Sequence, residues 1–337
     1  MSNEGQTPDL SGDRGFRTVR ESTYKYALAA CAALSVLTTL GIIGVLVVDA
    51  VDFFSVVPIT EFLTGTRYSP KLEPVAFGVL PLVLGTFLIT IGAAVIALPV
   101  GLLTAIYLSE YASERTRSVL KPMLEVLAGV PTVVYGYFAL VYITPALNVA
   151  INWLNGTLGL GLPTLGLFNA LSASIVVGIM IIPMVSSISE DAMSSVPDSL
   201  RQAGYGLGAT KFNVSTRVVV PASISGIASS FILAISRAIG ETMAVVLAAG
   251  SQPPDMPQVQ SAFGVIPYVA PGELLALYSE SSATMTVAMI NLAQGEISGG
   301  STAYQALFAI GLTLFVITLL MNVVSDVIAS RYREEYE

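Results

Sequence analysis

The chain reads as an all-α membrane protein of six transmembrane helices with both termini in the cytosol. Three observations carry that reading: an apolar, charge-poor composition, six apolar runs of spanning length, and a one-sided distribution of basic residues. Hydrophobic residues make up 54% of the 337 and charged residues 11%, at a mean hydropathy of +0.75, whereas soluble domains carry about 25% charged residues. A hydrocarbon core takes about 20 helical residues per crossing. Runs of that order fall at 26–48, 77–108, 120–145, 168–189, 222–250 and 303–330. The second exceeds one crossing, which predicts tilt or an extension into the cytosol.

Orientation follows from the basic residues between the runs. With the N-terminus inside, Arg14, Arg17, Arg20, Lys25, Arg115, Arg117, Lys121, Arg201, Lys211, Arg217, Arg331 and Arg333 are cytosolic, and only Arg67 and Lys71 lie outside. The later outer connections, 146–167 and 251–302, hold no Lys or Arg. The chain thus divides into a polar cytosolic tail 1–25, a transmembrane domain 26–330 and a tail 331–337 in a cell membrane, surrounded by lipid. The first apolar run is too long for a secretory signal and lacks a convincing cleavage site, so it is expected to stay as the first span.

Composition also excludes function classes. There is no histidine, which removes the usual general base and most zinc-site designs. The single cysteine, Cys31, forms no disulfide within the chain. A net charge of −8 argues against nucleic-acid partners, which want a basic stripe. Nothing resembles a nucleotide-binding phosphate loop: the nearest string, Gly206-Leu-Gly-Ala-Thr-Lys211, fails the required spacing. The chain is expected to be no enzyme and to hold no metal or cofactor of its own.

Arg237 is the one Lys or Arg inside a long apolar run. An arginine at bilayer depth costs roughly 2.5–3.5 kcal/mol and cannot shed its proton, so something must offset it. Glu241 follows one helical turn later. On a continuous helix the two share a face and neutralise each other. Alternatively, the guanidinium fork donates to the oxygens of a passing anion while Glu241 holds the arginine in place and keeps binding weak. The readings coexist as a resting pair opened by substrate.

The inner connection 190–221 is long for a simple link. Pro197 suits a first helical turn and Asp198 its positive end, which predicts a short helix over about 198–206. Gly204, Gly206 and Gly208 then ease a turn and the approach of another protein's surface.

In this connection the chain resembles the permease subunits of ATP-binding-cassette importers. Their coupling-loop pattern is Glu-Ala-Ala, three residues, Gly, nine residues, Ile-x-Leu-Pro. Gln202-Ala203-Gly204, Gly208 and Val218-Val219-Val220-Pro221 keep every spacing, with Gln for Glu and Gly for the second Ala. The stretches 121–140 and Ser236-Arg-Ala-Ile-Gly-Glu-Thr-Met-Ala-Val245 are similar to those of phosphate importer permeases of the Pst type. The outer segment Phe62-Leu-Thr-Gly-Thr-Arg-Tyr-Ser-Pro70 and the Met-Ala-Val after Thr242 are similar to the PstC subunit in particular.

That resemblance implies a type I ABC importer permease fold working by alternating access. It implies a second permease (PstA-like), a cytosolic ATPase dimer (PstB-like) that carries the ATP and Mg2+, and an extracytoplasmic phosphate-binding protein (PstS-like). Arg237 and Glu241 would then line the phosphate path, and Gln202, Ala203, Gly204, Gly208 and Pro221 would couple to the ATPase. Two other functions stay open: a permease for another oxyanion such as molybdate or sulfate, and a self-powered transporter or channel.

Glu125, one turn after Lys121, is a secondary path candidate, set against a helix-end pair with that lysine. Pro99, Pro131 and Pro183 are expected to kink spans, and Gly85-Thr86 and Gly92-Ala93-Ala94 to mark close helix contacts. Asn322 and Asp326 share a face near the inner end of the last run. The 251–302 connection, with a more helical piece near 283–294, is a candidate outer cap.

Overall fold

The computed structural model describes residues 14–257, 259–262, 266–295 and 300–331. The predicted tails fall partly outside these residues, Arg333 included. Among the described residues, five helices are long and apolar enough to cross a bilayer, and the count is six when the pair Lys211–Ala222 and Ile224–Ile239, bent by 71°, is taken as one span.

Helix α1 (Arg14–Val56) extends past the predicted run 26–48 at both ends. It stops only before Pro58, whose ring disfavours helix at the preceding residue. Its far end is pinned by an aromatic cluster: Phe53 meets Phe54, Phe62 and Phe77 edge-on at centroid distances of 5.3–5.5 Å. Phe62 belongs to α2 (Ile59–Thr64) and Phe77 to the second strand of a short antiparallel pair, β1 (Tyr68–Ser69) and β2 (Ala76–Phe77).

Helix α3 (Leu80–Ile106) closes in a π-helical turn, Tyr107–Tyr111. It packs along α7 (Ala170–Ser194), which starts at Asn169, whose side chain accepts from the Ser172 amide at 2.8 Å. Small residues bring the two backbones together: Gly92 lies against Ser174, Gly178 against the Ala93 carbonyl, and Gly101 against Val185. The contact positions rise together along both helices, so α3 and α7 run parallel. Pro99 and Pro183 sit inside them.

The third span is displaced from the predicted 120–145. Helix α4 (Glu114–Ala128) is separate and buries none of its residues. Gly129 ends it and Pro131 caps the next helix, so the chain turns at Gly129–Pro131. The crossing helix is Thr132–Leu158, made of α5 (Thr132–Phe138), a π-helical turn (Ala139–Ile143) and α6 (Thr144–Leu158). Windowed hydropathy sums over the Gly-Val-Pro break and so places the run a helix too early. The predicted outer connection 146–167 is correspondingly short, folded back by Asn148 and Asn155, whose side chains pair with the backbones of Leu165 and Leu162 at 2.8–3.0 Å.

Beyond α7 come α8 (Asp198–Gly206), as the Pro197-Asp198 signal predicts, then α9 (Lys211–Val214), a π-helical turn (Ser215–Val219) and α10 (Val220–Ala222). The fifth predicted run, 222–250, is two helices, α11 (Ile224–Ile239) and α12 (Met243–Ala249). The connection 251–302 holds an antiparallel hairpin, β3 (Val259–Ala262) and β4 (Ile266–Val269), then α13 (Pro271–Ser279) and α14 (Met285–Ala293). It is more than a cap. Met285, Val287, Ala288 and Leu292 of α14 are core residues, and the Ala283 carbonyl presses on Gly85 so closely that no Cβ fits there. The last span is α15 (Thr302–Arg331).

If the α3–α7 seam holds the fold, Gly178→Leu should destabilise the protein by about 1–3 kcal/mol through overpacking, because a Cβ there already lies 3.1 Å from the Ala93 carbonyl. Thermal denaturation in detergent should show a lowered midpoint. Gly41→Leu on α1, where nothing lies within 4 Å, should leave it unchanged.

Candidate anion path and coupling site

Arg237 lies in the last turn of α11 and is exposed on the surface of the single chain. It is the only Lys or Arg between Arg217 and Arg331. Among the described residues its guanidinium has no hydrogen-bond or ion-pair partner. The expected face shared with Glu241 does not exist, because the helix breaks at Gly240–Thr242. Three local causes act together. Gly240 is a poor helix former. The Glu241 carboxylate turns onward and accepts from the Ala244 amide at 3.3 Å, in the manner of a cap on α12. The Glu241 carbonyl is taken by the Thr286 hydroxyl of α14 at 2.9 Å, so the freed backbone group is satisfied inside the protein. Glu241 is 6% exposed.

The residue before Arg237 joins α11 to the last span: Ser236 Oγ lies 3.2 Å from Asn322 Oδ1. The side chain of Asp326 lies outside the described residues. Glu125 sits on α4, outside any span, and is exposed. The expected pair with Lys121 is replaced. Lys121 Nζ donates to Glu190 Oε2 at 2.8 Å and to Asp191 Oδ1 at 2.9 Å. Glu125 instead borders a cavity of about 250 Å3 between α4 and α7, lined also by Lys121, Pro183, Ser187 and Glu190. Arg237 is not part of that lining, so the cavity does not join Arg237 to Glu125.

At the same end, Gln202 and Ala203 face outward on α8 and Pro221 is exposed on α10. Gly204 is half-buried against Val214, with 3.0 Å between a Cβ there and Val214 Cγ2. Gly208 has φ +77° and open space around it, so its backbone conformation, not crowding, demands glycine. Tyr205, Leu207 and Phe212 expose apolar surface around this turn.

Sequence reasoning missed two buried carboxylates here. Glu190, fully buried, takes Arg117, Lys121 and Ser194. Glu110, 8% exposed, takes Arg201. Hydrogen bonds to Glu190 first, and to Asp191, hold the Lys121 ammonium above its ordinary pKa. A carboxylate at the end of an apolar run, as Glu190 is, was the available signal.

The chain belongs to the binding-protein-dependent transport system inner membrane components, the family that matches residues 97–334. It is a non-catalytic permease subunit of an ABC importer, PstC-like in sequence. Over 326 residues it is 31% identical to the probable ABC transporter permease protein YqgH of Bacillus subtilis (strain 168), covering 96% of this chain and 95% of that protein. Over 276 residues it is 33% identical to the phosphate transport system permease protein PstC of Xylella fastidiosa (strain Temecula1 / ATCC 700964), 78% of each. Its fold matches a chain in the crystal structure of a bacterial alginate ABC transporter with an alginate-bound periplasmic protein, at TM-score 0.61 and 15% identity over 94% of this chain and 98% of that one. The predicted type I importer permease fold is the observed one.

Replacing Glu190 by Gln leaves two cations facing a neutral amide, and should cost about 1–3 kcal/mol of stability. Asp191→Asn, at a side chain 62% exposed, should cost under about 1 kcal/mol. Parallel melts of the two variants check the ranking.

Proposed function

We propose that this chain is the permease subunit of an ATP-driven importer of inorganic phosphate. The observation that carries the reading is Arg237: a fixed positive charge within an apolar helix, whose nearest carboxylate in sequence is engaged elsewhere. A planar guanidinium suits phosphate oxygens bidentately, and an anion that visits and leaves offsets the cost of holding the charge in apolar surroundings. The names of the PstC relatives support phosphate over other oxyanions. Glu241, one turn beyond, stays close enough in sequence to limit how tightly the anion is held, and Glu125 is a secondary contact at the cytosolic mouth.

The remaining parts of the machine come from other chains. A PstA-like permease completes the path, a PstS-like binding protein delivers phosphate from outside, and a PstB-like ATPase dimer binds ATP and Mg2+. Both termini are cytosolic, and α8 with Gln202, Ala203, Gly204, Gly208 and Pro221 forms the surface that docks on one ATPase.

In cells or proteoliposomes, Arg237→Gln should abolish phosphate uptake while the yield of assembled complex stays at the wild-type level. Unlabelled sulfate or molybdate should fail to compete in the wild type. Uptake at normal speed in the variant would overturn the role of Arg237, and strong competition by another oxyanion would move the substrate.

A further inference from the structure

Helix α8 buries none of its residues fully, and its apolar contact with the inner cluster around Ala105, Met193 and Val196 is the half-buried Leu200. Its polar link to the spans is carried by one side chain. Arg201 donates from Nε and Nη2 to Glu110 Oε1 at 3.2 and 3.0 Å, from Nη1 to the Val196 carbonyl at 2.6 Å and to Asp198 Oδ1 at 3.2 Å, and from Nη2 to the Met193 carbonyl at 2.8 Å. The Arg201 side chain is 15% exposed and that of Glu110 4%.

These partners belong to different elements. Glu110 lies in the π-helical turn that ends α3, and Met193 lies at the end of α7 with Val196 just beyond it. A single guanidinium therefore ties the inner ends of the two most closely packed spans to the first turn of α8. The other connections of α8 are short and turning: Pro197 before it, and Gly208 at φ +77° shortly after it. Without the arginine, α8 would be held between these two points by little more than the apolar contact of Leu200. With it, any displacement of α8 pulls on carbonyls and a carboxylate that are fixed to the spans. A π-turn at such a junction is a common feature of functional sites.

We infer that Arg201 and Glu110 are a positioning pair that transmits movement of α8 into α3 and α7, so that ATP hydrolysis is converted into transport. The inference rests on the reading of α8 as the ATPase-docking element. Arg201 alone can serve all these acceptors, because its donors form a rigid planar fork; a lysine ammonium in its place keeps the charge but cannot span Glu110 and two carbonyls at once. Asp198, 84% exposed in side chain, is peripheral to the link.

The test is the number of anions moved per ATP hydrolysed by the whole importer in proteoliposomes, for Arg201→Lys, Glu110→Gln, the double variant and Asp198→Asn. Arg201→Lys and Glu110→Gln are expected to assemble, to keep ATP hydrolysis within about twofold, and to lower the ratio about tenfold, the scale of a lost charged hydrogen bond. The double variant should be no worse than either single one, since the two residues act as a unit. Asp198→Asn should keep the wild-type ratio. An unchanged ratio in Glu110→Gln, which preserves shape and leaves Arg201 its carbonyl contacts, overturns the inference, and so do losses that multiply in the double variant. If the wild-type complex carries another oxyanion, the substrate reading fails, but the ratio is measured with that anion and the inference is tested all the same.

Discussion

The carboxylate of Glu241 accepts a backbone amide instead of facing Arg237, and much of the functional architecture depends on that commitment. It ends α11 at Ile239 and starts α12 at Met243. The Glu241 backbone carbonyl, accepting from the Thr286 hydroxyl, fixes the break against α14. The commitment of the carboxylate also leaves a guanidinium in an apolar helix without a partner among the described residues. A continuous helix would have placed the two residues one turn apart on one face, producing a neutral pair of little use to an anion. The break separates the two residues: Glu241 accepts from the Ala244 amide, and Arg237 stays exposed.

Around this element the protein is rigid in one place and lightly held in another. The α3–α7 seam is built from glycines and small side chains in backbone contact, and α14 fills the space beside it with buried apolar residues. At the opposite end, a small apolar cluster around Ala105, Met193 and Val214 is joined by polar contacts. Neither α4 nor α8 buries a residue; each is joined to the spans by arginine and lysine meeting the buried carboxylates Glu190 and Glu110. Ionic and hydrogen-bonded joints of this kind are directional where apolar packing is not.

The sequence made the spans legible because hydropathy is a sum over about 20 residues, and all six runs overlap observed crossing segments. The third is displaced because three residues, Gly129-Val-Pro131, redirect the chain without changing the sum. Helix α8 was legible from Pro197 and Asp198, which act locally. Arg237 stood out because a charge in an apolar run is rare, but its relation to Glu241 was misread, since spacing by four presumes an unbroken helix. The pairs Arg117–Glu190 and Arg201–Glu110 were invisible because their members lie 73 and 91 residues apart, and no periodic pattern reports a contact made by tertiary packing.

On the proposed function, position 237 faces water in an anion path and not lipid. The most direct measurement uses the single native cysteine: in a Cys31→Ser background, Arg237→Cys is placed in the reconstituted importer and treated with an anionic, membrane-impermeant thiol reagent. Rapid labelling, slowed by phosphate, is expected. Labelling by lipid-soluble maleimides alone, with the anionic reagent inert from both sides of the membrane, would contradict it.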